Sequence, residues 1–561
     1  MHKLLPIGID DFKELISNNY YYIDKTLFIK EILDRRGKVS LFTRPRRFGK
    51  TLNLSMLQHF FENTEYTPDR EPHKALFEGL AIMQAGDEYA KHMGKYPVIS
   101  LSLKSAKQQN YKEAFACLKE VIAKEYGRYE YVVKRSLQDT EDYNRYQRIR
   151  NQQAEREEYL TSLAFLSDCI YRAAGIKSII LIDEYDVPLE NAYFSGFYDE
   201  MITFIRSFFE SALKTNPSLE FAVITGCLRI SKESVFTGLN NLAVYSILNK
   251  SYGEYFGFTR QEVSSMLKAY GLLKKEHTVR EWYDGYLFGT EDVYNPWSVI
   301  SFVDENHTDT EAFPRPYWSN TSSNSIIRKL IERADARVRK EIEDLIAGGT
   351  IEKPVHENIT YEDVYASQDN LWNFLFFTGY LKVVKKRLEL DTIYLTMAIP
   401  NVEIRYIYRT TIREWFTQKI EQTDFSLFYR AVLEGNCSEM ECFMKRQLSE
   451  SISYYDNAEN FYHGYLVGIL GGLEGYALDS NKEHGNGRPD ILLTPFDPER
   501  PAVIMEIKCA AKFGEMEGLC DLALRQIHER EYASELEAEG YGLIRKYGIC
   551  FCRKNCVVRM E

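Results

Sequence analysis

The stretch KVSLFTRPRRFGKTLNLSMLQHFF, residues 38–61, constrains this chain most: it reads as a buried strand, a tight basic loop and an amphipathic helix. Val39, Leu41 and Phe42 supply the apolar strand. Gly49 lets the backbone approach a ligand closely, and Lys50 and Thr51 open a helix whose unpaired N–H groups point into the loop. Such a loop suits an anion. In a phosphate-binding loop, Lys50 reaches the β- and γ-phosphates of a nucleotide and the Thr51 hydroxyl ligates Mg²⁺. Arg44 and Arg47 join Gly49, Lys50 and Thr51 as expected nucleotide contacts. Arg44 stands where the consensus G-x-x-x-x-G-K-[ST] has glycine, and a basic turn capping a helix is the competing reading of this segment taken alone.

A second segment, GIKSIILIDEYDVPL at residues 175–189, is a nearly all-apolar run closed by carboxylates. It fits a parallel strand buried on both faces, with its charged end where open α/β sheets place ligands. Asp183 then holds Mg²⁺ through water, and Glu184 orients or deprotonates the attacking water. The alternative is a core strand followed by a solvated acidic turn that includes Asp186. A third run, FAVITGCLRISKESVFTGLNNL from Phe221, is a buried strand ending in Thr225 and Gly226. Thr225 suits a γ-phosphate sensor and Arg229 a transition-state cation; a turn-capping threonine and a surface ion-pair arginine are the plainer readings.

These segments, with LPIGIDDFKELISNNYYYIDKTLFIKEIL, WYDGYLFG, YNPWSVI and YWSNTSSN, resemble the AAA-ATPase-like family of bacterial proteins over roughly residues 4–300. The resemblance implies ATP and Mg²⁺ as ligands. It also implies arginine at the position of Arg44, as that family has it.

At the other end, SNKEHGNGRPDILL from Ser480 and AVIMEIKCA from Ala502 read as two short strands separated by the proline-rich TPFDPERP, adjacent and antiparallel. Strand period two puts Glu506 and Lys508 on one face and Val503, Met505 and Ile507 on the other. Asp490 can meet them from the neighbouring strand. Two carboxylates beside a lysine suit Mg²⁺-assisted phosphodiester cleavage. A Glu-x-Lys triplet alone is usually a solvated pair; its surroundings give it weight here. The order helix, three strands, helix, two strands resembles the PD-(D/E)xK nuclease domain. That resemblance implies Asp490, Glu506 and Lys508 as catalytic residues, Asp490 and Glu506 as metal ligands, Glu483 as a further metal-site acid and Gln526 as a helper.

The 561 residues are 45% hydrophobic and 27% charged, with room for three or four domains. We expect an α/β chain: an ATPase-like domain over 1–300 with a helical insertion near 105–165 and a helical lid at 255–300, a mixed helix-and-strand linker of winged-helix type over 301–450, and a nuclease-like domain over 451–561. A net charge of −12 argues against general polyanion binding, so local patches and the metal must hold any nucleic acid. Ten scattered cysteines, clustered only at Cys550, Cys552 and Cys556, read as buried thiols in a reducing compartment. MHKLLPIGIDDF lacks an export-type apolar core, and YLVGILGGL is too short to span a bilayer; the expected location is cytoplasmic.

The functional expectation is an ATP-binding and ATP-hydrolysing protein governing a nuclease directed at DNA ahead of RNA, in defence or mobile-element biology. A homo-oligomer is expected if Arg229 serves a neighbour's nucleotide. The alternative is a nucleotide-switched interaction protein with a silent nuclease-like domain.

Overall fold

The computed structural model describes residues 2–68, 71–228, 235–236, 239–320, 336–355, 367–421, 424–450, 459–480 and 488–561. Two compact units emerge: residues 1–323 with 350–406, and residues 324–349 with 407–561. The stretch 301–450 is shared between them.

The first unit is built on five parallel strands: β1 (Val39–Thr43), β2 (Val98–Ser102), β3 (Ser178–Asp183), β4 (Leu219–Gly226) and β5 (Leu242–Tyr245). Their spatial order is β2-β3-β4-β1-β5. Every residue of β1 and β3 is buried, as a parallel strand covered on both faces requires. The register sets Thr43 beside Gly226 and Ser102 beside Asp183, so the loops that follow β1, β2, β3 and β4 leave the same edge of the sheet. That edge, where strand order reverses around β1, is where ligands of open α/β sheets sit.

Between β2 and β3 lie the helices Tyr111–Leu137, Glu141–Arg150, Arg156–Leu160 and Ser162–Ala174. The first is capped by Asn110, whose side chain accepts from Glu113 N–H, and it is pinned to β2 by Tyr129 Oη on both the N–H and carbonyl of Val98. After β5 a small antiparallel sheet, β6 (Phe258–Thr259), β7 (Tyr286–Phe288) and β8 (Glu291–Tyr294), accompanies the helices Arg260–Ala269, Glu276–Tyr283 and Pro296–Thr308. Thr259 and Glu262 form a capping box, and Glu262 also pairs with Lys25 at 2.6 Å, tying the N-terminal segment to this subdomain. The region expected to be a helical lid is therefore helix and sheet together. Strands β9 (Ile351–Pro354), β10 (Lys382–Glu389) and β11 (Thr392–Ala398) form a third, antiparallel sheet.

The second unit carries a mixed sheet of β12 (Tyr476–Ser480), β13 (Ile491–Pro495), β14 (Ala502–Cys509), β15 (Ile544–Cys552) and β16 (Asn555–Met560), in that order. Only β14 and β15 pair in parallel, bridged by the helix Met516–Glu529. Val503, Met505 and Ile507 pack with the helices Ser426–Glu434 and Glu459–Leu470, while Ala502 and Ile504 pack with Leu524 and Ile527 of the bridging helix. The alternation read from β14 thus has helices on both sides, and the adjacent β13 and β14 are antiparallel as read. Cys550, Cys552 and Cys556 are buried thiols outside any disulfide. Among the described residues, no helix is long and apolar enough to cross a membrane.

Candidate active sites

Strand β1 ends in a loop that turns abruptly into the helix Lys50–Phe61 because Gly49 sits at φ +81°, a left-handed conformation that side-chain-bearing residues resist. Lys50 is almost wholly buried, and its ammonium donates to the carbonyls of Arg44 at 3.0 Å and Pro45 at 2.8 Å. The Thr51 hydroxyl donates to Asp183 Oδ2 at 2.7 Å, and the Thr225 hydroxyl donates to Asp183 Oδ1. Three segments read separately in the sequence therefore meet on one carboxylate. A magnesium ion held there would take oxygen from Thr51 and Asp183, a donor set suited to a hard cation.

Arg44 corrects the expectation of a nucleotide contact. Its side chain is fully buried, donating to the carbonyls of Thr43 and Tyr245, with its guanidinium 4.9 Å from the ring centre of Phe256 and 5.3 Å from that of Phe288. Burial lowers its pKa to about 9. Arginine at the usual glycine position thus braces the loop from behind through cation–π contacts. Arg47 faces the opposite way, at φ +68°, with its guanidinium 4.5 Å from the Trp297 ring centre. Arg229 lies outside the described residues.

Glu184 stands just beyond β3 at φ +52°, with its pKa raised by burial and then by Asp183. Asp186 is not a solvated turn residue: it is buried, and Oδ2 accepts from the N–H groups of Cys227 at 2.7 Å and Leu228 at 3.1 Å. The Tyr185 hydroxyl donates to the Leu228 carbonyl at 2.6 Å. The DEYD turn therefore clamps the chain just after Thr225. A tyrosine between two carboxylates at a strand end was the signal available in the sequence for this role.

A cavity of about 350 Å³ opens beside this loop. Lys50, Thr51, Arg46, Arg47, Lys104, Lys107 and Glu184 line it, along with Ile9, Tyr21, Ile23, Phe258 and Trp297. The basic and apolar linings suit the phosphates and base of a nucleotide respectively.

In the second unit, Ile491 pairs with Met505, so Asp490 and Glu506 lie one step beyond that rung on neighbouring strands. Asp490 Oδ2 accepts from Ile507 N–H at 2.7 Å. Glu506 Oε1 accepts from Lys508 Nζ at 2.8 Å and from the Gln526 amide. Gln526 reaches it because Glu506 pairs with Gly548, where a Cβ would stand 2.5 Å from the Cys520 carbonyl; the bridging helix lies too close for any side chain there. Glu506 Oε2 is buried and has no hydrogen-bond partner. Burial, and then the charge of Asp490, lift the Glu506 pKa to about 7. An orphaned, buried carboxylate oxygen beside a second carboxylate is what a divalent cation would satisfy.

Glu483 lies outside the described residues, and among those described no three His, Cys, Asp or Glu side chains converge as a metal site. Two supports were not read from the sequence. His463 Nε2 donates to the Asp490 carbonyl at 2.8 Å, and the Tyr532 hydroxyl donates to the Arg488 carbonyl at 3.2 Å, so the Arg-Pro-Asp segment is held by a group from the helix before it and another from beyond the helix after it.

Residues 6–236 match the family described as predicted AAA-ATPase, and residues 457–561 match the PD-(D/E)XK nuclease superfamily. A relative, an uncharacterized protein in the vnfD 5′ region of Azotobacter chroococcum mcd 1, is 27% identical over 333 residues; the match covers 59% of this chain and 56% of the relative. The chain thus carries an AAA-ATPase-like domain followed by a C-terminal PD-(D/E)XK nuclease superfamily domain.

Proposed function

We propose that this protein binds and hydrolyses ATP in the first unit and uses it to govern metal-dependent cleavage of DNA by the second. The observation that carries the reading is the pair of assembled sites: Thr51 and Thr225 on Asp183 beside a basic cavity, and Glu506 with an open oxygen beside Asp490 and Lys508.

At the first site Lys50 would leave the loop carbonyls for the phosphates, Thr51 and Asp183 would hold Mg²⁺, and Glu184 would take the proton of the attacking water. Its raised pKa fits that task. At the second, Asp490 and Glu506 would hold the ion, which would supply Lewis-acid charge for phosphodiester hydrolysis. Gln526 and Lys508 occupy Oε1 and leave Oε2 for the metal. The Lys508 ammonium then offers positive charge to the scissile phosphate. Magnesium, a cytoplasmic setting and a role in defence or mobile-element biology belong to the same proposal, supported by the domain pairing.

The test is incubation of the purified protein with Mg²⁺ or Mn²⁺ and single- or double-stranded DNA or RNA, with and without ATP. Metal-dependent DNA cleavage that changes with ATP is expected. No cleavage of any substrate under any condition would favour a nucleotide-switched binding module instead.

A further inference from the structure

Nucleotide hydrolysis does work only if some element distinguishes ATP from ADP, and the cavity shows which side chains remain for that task. Among the described residues, Arg44 is sequestered between aromatic rings, Arg46 is paired with Glu190 at 2.5 Å, and Arg47 lies 4.5 Å from the Trp297 ring centre. Lys104 and Lys107 enter the same cavity from the short turn that follows β2. The turn is fixed where it needs to be. Leu103 and Ala106 are buried anchors, Leu103 N–H donates to the Asp183 carbonyl at 3.1 Å, and the Asn191 amide donates to the Gln108 carbonyl. Lys104, between the two buried anchors, and Lys107, directly after the second, are exposed.

Because Ser102 is in register with Asp183, this turn leaves the sheet beside the carboxylate on which Thr51 and Thr225 meet. The long helix of the insertion begins at Tyr111, directly after this turn, and Glu125 Oε1 accepts from Ser100 N–H of β2 at 2.9 Å.

We propose that Lys104 and Lys107 contact the γ-phosphate of the bound nucleotide, making the root of the helical insertion the element that reads ATP against ADP. The inference rests on the ATP-binding reading of the cavity. It adds to Lys50 two further cations for the γ-phosphate from the same chain, with no neighbouring subunit required. The insertion becomes the output arm: when the γ-phosphate leaves, the lysines lose their anion and the turn relaxes at the base of the helix Tyr111–Leu137.

The test uses the full-length protein and equilibrium binding of ADP and of AMP-PNP, a non-hydrolysable ATP analogue. Parent, Lys104→Ala, Lys107→Ala, the double alanine variant and the double arginine variant are compared. The double alanine variant should lose about tenfold or more of the preference for AMP-PNP over ADP while its ADP affinity stays within about twofold, and arginine should restore the preference in part. Amide hydrogen exchange in residues 111–137 should differ between the two nucleotides in the parent and not in the double alanine variant. An unchanged preference, or equal losses for both nucleotides, overturns the inference alone. A parent that binds neither nucleotide overturns the ATP reading, and this inference with it.

Discussion

The two candidate sites handle a buried carboxylate in opposite ways. Asp183 is satisfied on both oxygens by hydroxyls of its own unit, and Lys50 by loop carbonyls, so the candidate nucleotide site is closed on itself. Glu506 keeps one buried oxygen without a partner and holds a raised pKa. A site closed on itself preserves a loop that a ligand must reopen by exchanging one set of hydrogen bonds for another. A site left open carries an unfavourable buried charge that only a cation or a proton relieves. The nucleotide site should therefore contribute to stability when empty, and the nuclease site should detract from it.

The largest effects should be catalytic and confined to one unit at a time. Asp490→Asn, Glu506→Gln and Lys508→Ala should each reduce metal-dependent cleavage by at least about a hundredfold while leaving ATP affinity unchanged. Lys50→Ala should weaken ATP binding by roughly ten- to a hundredfold, and Glu184→Gln should bind ATP normally but turn it over slowly. Cleavage assays and nucleotide titrations on the same preparations check both. Normal turnover by Glu184→Gln would move the general base elsewhere.

Stability separates the sites by sign. Asp183→Ala strands two hydroxyls and should cost about 2 to 4 kcal/mol in nucleotide-free buffer, read by denaturant unfolding. Glu506→Gln should leave metal-free stability unchanged or raised, since it removes a buried charge. In nucleotide-free buffer, Mg²⁺ at a hundred times the dissociation constant of the second site should stabilise the parent by about 2.7 kcal/mol through that site, a gain that Glu506→Gln should lack. Equal metal stabilisation of both proteins would place the ion elsewhere.

Much of this was legible in the sequence because it is local. A buried strand, a glycine and Lys-Thr in succession specify the strand, tight turn and helix, and the period of two along AVIMEIKC specifies which face of β14 carries Glu506. What escaped depends on partners distant in the chain. Arg44 looks like an anion contact beside Arg46 and Arg47, and only the arrival of Phe256 and Phe288, more than two hundred residues later, turns it backward. Asp186 reads as a solvated turn until Cys227 and Leu228 present their N–H groups to it. Likewise nothing in the spacing of His463 or Tyr532 reveals that each holds a carbonyl of the Arg-Pro-Asp segment.

The smallest expected effect is a pH dependence seated at Glu403 in the first unit. Glu403 is fully buried, with the Ser298 hydroxyl at 2.9 and 3.0 Å from its two oxygens and the Trp318 N–H donating to Oε1 at 2.9 Å. Burial still prevails over these bonds and lifts its pKa to about 8. Because the folded value lies above the unfolded one, folding retains a proton that the unfolded chain has already released. The stabilisation is complete below the unfolded glutamate pKa and is lost as pH rises toward about 8. Across that window a single such group contributes a slope of at most about 1.4 kcal/mol per pH unit. Glu403→Gln keeps an acceptor for Trp318 and a donor for Ser298 without the charge, so its melting temperature should fall less than the parent's between pH 5 and 8. Mg²⁺ should not alter that difference, since Glu403 has no open oxygen to offer it. Parallel pH profiles for parent and variant would show that Glu403 is neutral, or paired, throughout the range.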